Sequence, residues 1–190
     1  EDALIVTVHA RDQSYMPNLT YHAHRNTNFQ NYTPAIRELI RRGFWVIRLG
    51  DATTPPTFGM PPGFIDLPHA PGYNDSLDAA LIARSHFSIC CDSGPEGLCR
   101  MLGIPALMVN CQVFPTHILK PSDVLMFKSY IEISSGRALS YPEIIERNLW
   151  SGATANYFAE RDIQVEENTP EDLTAATLEM IARLEGTFEV

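Results

Sequence analysis

Five short runs of mostly apolar residues recur along the chain: LIVTVH (4–9), WVIRL (45–49), FIDL (64–67), HFSICC (86–91) and ALMVN (106–110). Each is rich in β-branched or aromatic side chains and apolar at successive positions, so both faces are suited to burial. That is the pattern of strands in a parallel sheet covered by helices on each side. Between the runs the apolar spacing changes to a helical one. TPAIRELIRRG places Thr33 as a cap, Pro34 in the first turn and Gly43 at the stop, with Ile36, Leu39 and Ile40 as the buried stripe. DSLDAALIARS puts Leu77, Ala80 and Leu81 on one face, and TPEDLTAATLEMIARLEG repeats the cap-then-Pro opening with Leu173, Met180, Ile181 and Leu184 inward.

Alternating strand and helix predicts an α/β fold, a Rossmann-like, doubly wound, mainly parallel sheet with helices on both faces. Residues 1–190 are expected to form one domain. Within 112–168 the pattern is less regular: YIEIS and IQVEE read as strands and YPEIIERNLW as a helix, while TTPPTFGMPPG reads as a loop between two strands. The chain enters its first strand at Leu4 without a lead-in segment, as expected of a piece of a longer protein.

Composition narrows the function classes. The net charge of −9 removes the broad basic footprint that nucleic acid would require. An anionic ligand must therefore be held locally, and twelve of the fourteen basic residues are Arg, whose planar fork fits phosphate. No apolar run is long enough to span a bilayer. Cys90, Cys91, Cys99 and Cys111 lack CxxC spacing and read as buried thiols of a reducing compartment, and three sequon matches in Asn-rich loops do not outweigh them. The expected location is cytoplasmic.

In parallel α/β sheets ligands sit beyond the carboxyl ends of the strands, which directs attention to four loops. After the first strand comes a loop of roughly twenty residues, far longer than most βα connections, carrying His9, Arg11, Asp12, Tyr15, His22, His24, Arg25 and Asn26. It reads as a binding loop or a solvated one. His9, Asp12, His22 and His24 lack the spacing of a zinc site, and no metal is expected. After the second strand, Arg48 and Asp51 stand where a dinucleotide fold binds ribose, although Gly-Asp is also an ordinary turn. In the loop before the DSLDAALIARS helix, His69, Tyr73 and Asn74 give a weaker signal, with Asp75 or Ser76 as the cap. HFSICCDSGPEGLCRMLGIP carries the most information: a buried strand runs into Asp92-Ser93-Gly94-Pro95, and a helix begins at once with Leu98, Met101 and Leu102 inward. Its N-terminus and the absent Gly94 side chain suit a diphosphate, while Asp92 or Ser93 as a simple cap is the alternative.

On these residues the chain resembles the donor-binding domain of GT-B type glycosyltransferases, and more closely a bacterial glycosyltransferase family. The resemblance rests on His9-Ala10-Arg11, His24-Arg25-Asn26, Asn31-Tyr32-Thr33-Pro34-Ala35-Ile36, Arg48-Leu49-Gly50-Asp51 and Ser93-Gly94, in that order. DSGPEG is also similar to the Ser-Gly turns of heptosyltransferases and nucleotide-sugar epimerases, and His9-Ala10-Arg11 to the His-x-Arg motif of fucosyltransferases. The resemblance implies a nucleoside-diphosphate sugar as substrate with no further cofactor and a carbohydrate or protein acceptor. It also implies a second, N-terminal domain elsewhere in the same protein. From the loops and the resemblance together, His9, Arg11 and Asp12 are expected as catalytic residues, and Arg25, Asn26, Arg48, Asp51, Ser93, Gly94 and Glu96 as donor-binding ones. A nucleotide-sugar epimerase or hydrolase, or a binding module without turnover, are the competing readings.

Overall fold

The computed structural model describes residues 3–14, 16–114, 117 and 119–189; Tyr15 of the long loop lies outside them. Six parallel strands form the main sheet: β1 (Ile5–Val8), β2 (Trp45–Arg48), β3 (Phe64–Asp66), β4 (Phe87–Cys90), β5 (Ala106–Cys111) and β6 (Val124–Phe127). Their order across the sheet is β3-β2-β1-β4-β5-β6, and every neighbouring pair is parallel. This is the expected doubly wound, Rossmann-like order.

Alternation along the strands divides their side chains between two cores. Val6, Val8, Phe87, Ile89, Leu107 and Val109 point to one face, where they meet Ile36 and Leu39 of α1 (Thr33–Arg41) and Met180 and Ile181 of α6 (Pro170–Glu185). Cys90, Ala106 and Met108 point to the other, against Ile82 of α2 (Ser76–Ala83) and Cys99 of α3 (Gly94–Leu102). The two hydroxyls buried in the middle of the sheet, Thr7 and Ser88, satisfy each other at 2.8 Å. All four cysteines are buried and free. No helix among the described residues is long and apolar enough to cross a membrane.

The face or the start of three helices differs from the sequence expectation. In α3 the buried residue is Cys99, with Leu98 partly buried beside the same core, while Met101 and Leu102 are 83% and 45% exposed. In α2, Ala80 is exposed and Ile82 is buried. Thr33 is the first helical residue of α1 rather than its cap, and its hydroxyl is buried without a partner. Asn74, not Asp75 or Ser76, supplies the side-chain oxygen that receives the Ser76 amide at 3.2 Å before α2.

The less regular stretch builds a small lobe on the main sheet. β7 (Ser129–Glu132), β8 (Arg137–Ala138) and β9 (Ile163–Glu166) form an antiparallel sheet in the order β8-β7-β9. With α4 (Tyr141–Glu146) and α5 (Ala155–Ala159) they enclose Tyr130, Ile144, Leu149, Phe158 and Ile163. Both expected strands are present; the expected helix stops at Glu146, and Asn148, at φ 55°, turns the chain into a short 3-10 segment.

A reciprocal clamp of two buried asparagines returns the chain to the main sheet. The Asn110 backbone amide donates to the Asn168 side-chain oxygen, and the Asn168 amide to that of Asn110, both at 2.6 Å. The remaining side-chain donors reach the Tyr32 hydroxyl at 3.0 Å and the Phe127 carbonyl at 2.8 Å. Asn110 adopts φ 55°, a left-handed conformation that Asn tolerates better than most residues. Immediately after Asn168, Thr169 and Asp172 form a capping box that starts α6 at Pro170. Asn168→Ala strips the acceptor from a buried amide and the donor from a buried carbonyl, and is expected to cost about 2 kcal/mol. The check is a lower urea midpoint with an unchanged slope.

Candidate functional site

β1 is flanked by β2 on one side and β4 on the other, and the connections leaving β1 and β4 run to opposite halves of the sheet. At such a switch point the two loops part and leave a crevice beyond the strand ends. The His9 amide makes the last backbone-to-backbone bond between the two strands, to the Ile89 carbonyl at 2.9 Å. Beyond lies a cleft of about 760 Å³ lined by the loop after β1, the Gly50–Thr54 turn after β2, the first turn of α2 and the N-terminus of α3. His9, Arg11, Asp12, Arg25, Asp51, Ser93, Gly94 and Glu96, all expected at a site, line this one cleft.

One end is cationic. Arg11 and Arg25 lie close enough that Arg25, after burial, is the chief influence depressing the pKa of Arg11. Neither forms an ion pair with a carboxylate among the described residues. Arg11 donates through Nε to the Asn26 side chain at 3.2 Å, and Arg25 to the Asp92 carbonyl at 2.6 Å. Beside them α3 begins without a side-chain cap, because the Ser93 hydroxyl lies 2.9 Å from His9 Nδ1 and the Asp92 carboxylate accepts the Gln112 amide at 2.6 Å. Both capping candidates are therefore committed elsewhere, leaving the positive helix end, with Gly94 among the residues that line the cleft, without a side-chain cap. A Cβ built on Gly94 meets no protein atom within 4 Å. The fold does not require glycine there; the space beside it is cleft. Glu96, on the first turn, is paired with Arg100.

The other end carries carboxylates. Asp51 accepts the Thr53 amide at 2.6 Å in a tight turn. That turn needs Gly50, since a Cβ there would lie 2.6 Å from Thr54 Oγ1. His69 and Tyr73 brace it from behind, through the Thr54 carbonyl at 2.8 Å and the Gly50 carbonyl at 2.5 Å. Asp78, which the sequence reading passed over, projects into this end from α2 with its Oδ1 buried and unpartnered. Burial, then Asp75 and Asp51, raises its pKa from 3.8 to about 6. An acidic residue four positions before the buried Ile82, on the inward face of a helix, was its sequence signal. Neither arginine is among the groups that shift Asp78, and neither Asp51 nor Asp78 is among those that shift Arg11. Arg11 responds to Arg25 and Asp12, Asp78 to Asp75 and Asp51, and His9 to Arg11, Asp12 and Asp51, so His9 stands among charges of both signs.

Burial lowers the His9 pKa to about 4, so the ring is neutral at pH 7. Asp12 lies at the cleft margin, accepting the Ser14 amide at 2.8 Å. Two of the expected residues sit elsewhere. Arg48 is 3% exposed, its guanidinium bonded to the Pro55 carbonyl at 2.7 Å and Asp66 at 3.3 Å and lying 4.2 Å over the Phe29 ring. Asn26 lies behind Arg11 and orients it, itself held by Gln13 at 2.8 Å. His24 packs on Phe158 away from His9, and no three His, Cys, Asp or Glu side chains among the described residues converge as metal ligands.

Because its folded-state pKa is raised, Asp78 favours the fold below its unfolded pKa of 3.8 and costs stability as pH rises through about 6. Asp78→Asn is therefore expected to raise Tm at pH 8, with the gain over the parent vanishing by about pH 4. Differential scanning calorimetry of both proteins across that range checks it.

No family model matches the chain, and no curated protein does. Among solved structures, the chain is similar to the crystal structure of the dodecameric iron-containing heptosyltransferase TibC in complex with ADP-D-beta-D-heptose, with 14% identity and a TM-score of 0.45. The match covers 98% of this chain and 47% of that one, so this chain spans about half the length of that protein.

Proposed function

We propose that the cleft binds a nucleoside-diphosphate sugar and that the chain is the donor-binding part of a glycosyltransferase. The observation that carries this reading is the pair of adjacent guanidinium groups, without carboxylate partners among the described residues, beside an uncapped helix N-terminus. Two like charges held together cost free energy that a bound dianion returns, and the Gly94 amide and helix dipole add to it. The carboxylate end suits the hydroxyls of a ribose or sugar, which donate to Asp51 and Asp78.

In the proposed reaction an acceptor hydroxyl forms a new C–O bond at the anomeric carbon. The bond from that carbon to the diphosphate breaks, its electron pair leaving on the phosphate oxygen. Arg11 and Arg25 stabilise the charge that develops there, the electrostatic contribution expected of such a site. The acceptor proton passes to Asp12. His9 is assigned a different role, since its Nδ1 is engaged by Ser93 at 2.9 Å: it holds Ser93 toward the phosphate. A carbohydrate or protein acceptor and a second domain of a longer protein complete the proposal. Without an acceptor, Asp12 can serve a water instead, and slow donor hydrolysis is the expected activity of the chain alone.

Arg11→Ala is expected to weaken binding of nucleoside diphosphates by about 1.5–3 kcal/mol, roughly ten- to hundredfold in Kd, and to leave nucleoside binding nearly unchanged. Calorimetric titration with ADP, UDP, GDP and CDP and their nucleosides checks this, and equal diphosphate affinities would remove Arg11 from the site. Gly94→Val is expected to remain folded by circular dichroism, since its side chain enters open space, and to lose diphosphate binding. Retained binding would reduce the turn to a plain helix start.

A further inference from the structure

A second hollow of about 720 Å³ adjoins the cleft, and Asp12 lines both. One wall is the loop after β1, with Asn26; the other is the outer side of β9, with Val165, Glu166 and Glu167; Lys128 lies between. β9 is the last strand of its sheet, so one side of it is unpaired. The Ile133 amide donates to the Asp162 carbonyl at 2.9 Å, and the register runs from Glu132↔Ile163 to Ser129↔Glu166. Antiparallel alternation then turns the backbone groups of Gln164 and Glu166 toward β7 and those of Ile163 and Val165 outward. Tyr130, opposite Val165, agrees: its carbonyl accepts from Leu139 on the far side of β7. The groove therefore has backbone donors and acceptors of a free strand edge along one wall.

The side chains around that edge point to the occupant. Three carboxylates, Asp12, Glu166 and Glu167, line the groove with one ammonium, Lys128, which is 4% exposed and tied to the Asn26 carbonyl at 2.6 Å; one Glu167 oxygen accepts the Asn28 amide at 2.8 Å and one Glu166 oxygen the Gln164 side chain at 3.0 Å. His24, nine-tenths buried in the wall, has neither ring nitrogen hydrogen-bonded; the Tyr21 carbonyl is near it but outside bonding geometry. Among the described residues the lining contains no Trp, Tyr or Phe on which a sugar ring would stack. An unpaired strand edge in an acidic groove suits a basic, extended polypeptide, held by main-chain bonds as an added strand.

We infer that this groove binds an extended, basic polypeptide segment along β9 and presents a Ser or Thr hydroxyl of that segment to Asp12 at the mouth of the donor cleft. The assignment of that hydroxyl as acceptor rests on the glycosyltransferase reading; the binding of the segment does not.

The probe is fluorescein-labelled Arg-Val-Ser-Val-Thr-Val-Arg-amide, followed by anisotropy, beside two forms N-methylated on alternate residues. Parent protein is expected to bind the peptide and one methylated form, and to bind the other, whose blocked amides face β9, about tenfold more weakly. Val165→Pro, which removes an outward amide from an edge where Pro is tolerated, is expected to weaken peptide binding about tenfold while ADP binding is unchanged. Equal binding of both methylated forms overturns the inference, as does a folded Val165→Pro protein that binds like the parent. No peptide binding up to about 1 mM overturns it too; if lactose binds instead, the groove is a carbohydrate site. Should Val165→Pro misfold by circular dichroism, the methylated peptides on parent protein decide. Failure of ADP to bind parent protein sinks the donor reading and leaves the peptide result standing.

Discussion

The candidate site depends on one constraint of chain topology: β1 and β4 are parallel neighbours whose outgoing connections must run in opposite directions. No backbone can close the gap this leaves, because each loop is committed to its own half of the sheet. His9 ends one strand and Ser93 follows the other, and their side chains meet across the gap at 2.9 Å. That bond has a consequence for the helix behind it. A serine in the cap position would ordinarily satisfy a first-turn amide; with its hydroxyl directed to His9, the end of α3 is left open toward the cleft.

The electrostatics follow from burial more than from composition. The chain is strongly acidic, yet the cleft gathers Arg11 and Arg25 among the carboxylates Asp12, Asp51, Asp78, Asp92 and Glu96. Arg48 shows how differently the same residue type can be used. Its guanidinium is enclosed by Asp66, the Pro55 carbonyl and the Phe29 ring, which satisfy it internally and leave nothing for a ligand. Among the described residues Arg11 and Arg25 have only neutral acceptors, so their charge remains available. Asp78 is the acidic counterpart: a carboxyl that burial holds partly protonated near neutral pH and that lacks a partner for one oxygen.

The small lobe is attached through polar groups. Its own core is built around Tyr130, Leu149 and Phe158, but its return to the main sheet depends on the paired amides of Asn110 and Asn168. A reciprocal pair of this kind has one arrangement that satisfies both backbone amides, which makes it directional where apolar packing is not. It sets where α6 begins, and α6 covers the face of the sheet opposite α2 and α3.

The sequence by itself determined the α/β class, the strands of the main sheet up to β5, the long helices, and the loops on which the cleft is built. Those properties rest on local periodicity and turn chemistry, which a strand of alternating burial or a Thr-Pro helix start carries within a few residues. It also singled out eight residues that share the cleft. The tertiary structure alone decided which side chains reach that cleft. Arg48 and Asn26 fall in the right loops but turn inward or behind, and Asp78 enters from a helix face that looks merely amphipathic in sequence. Met101 and Leu102 continue an apolar stripe, yet it is Cys99 that packs in the core between sheet and helices, because the rotation of the helix about its axis is set by contacts distant in sequence. The strand order and the open edge of β9 also required the fold, since both depend on pairings between residues far apart in the chain, and those have no local signature.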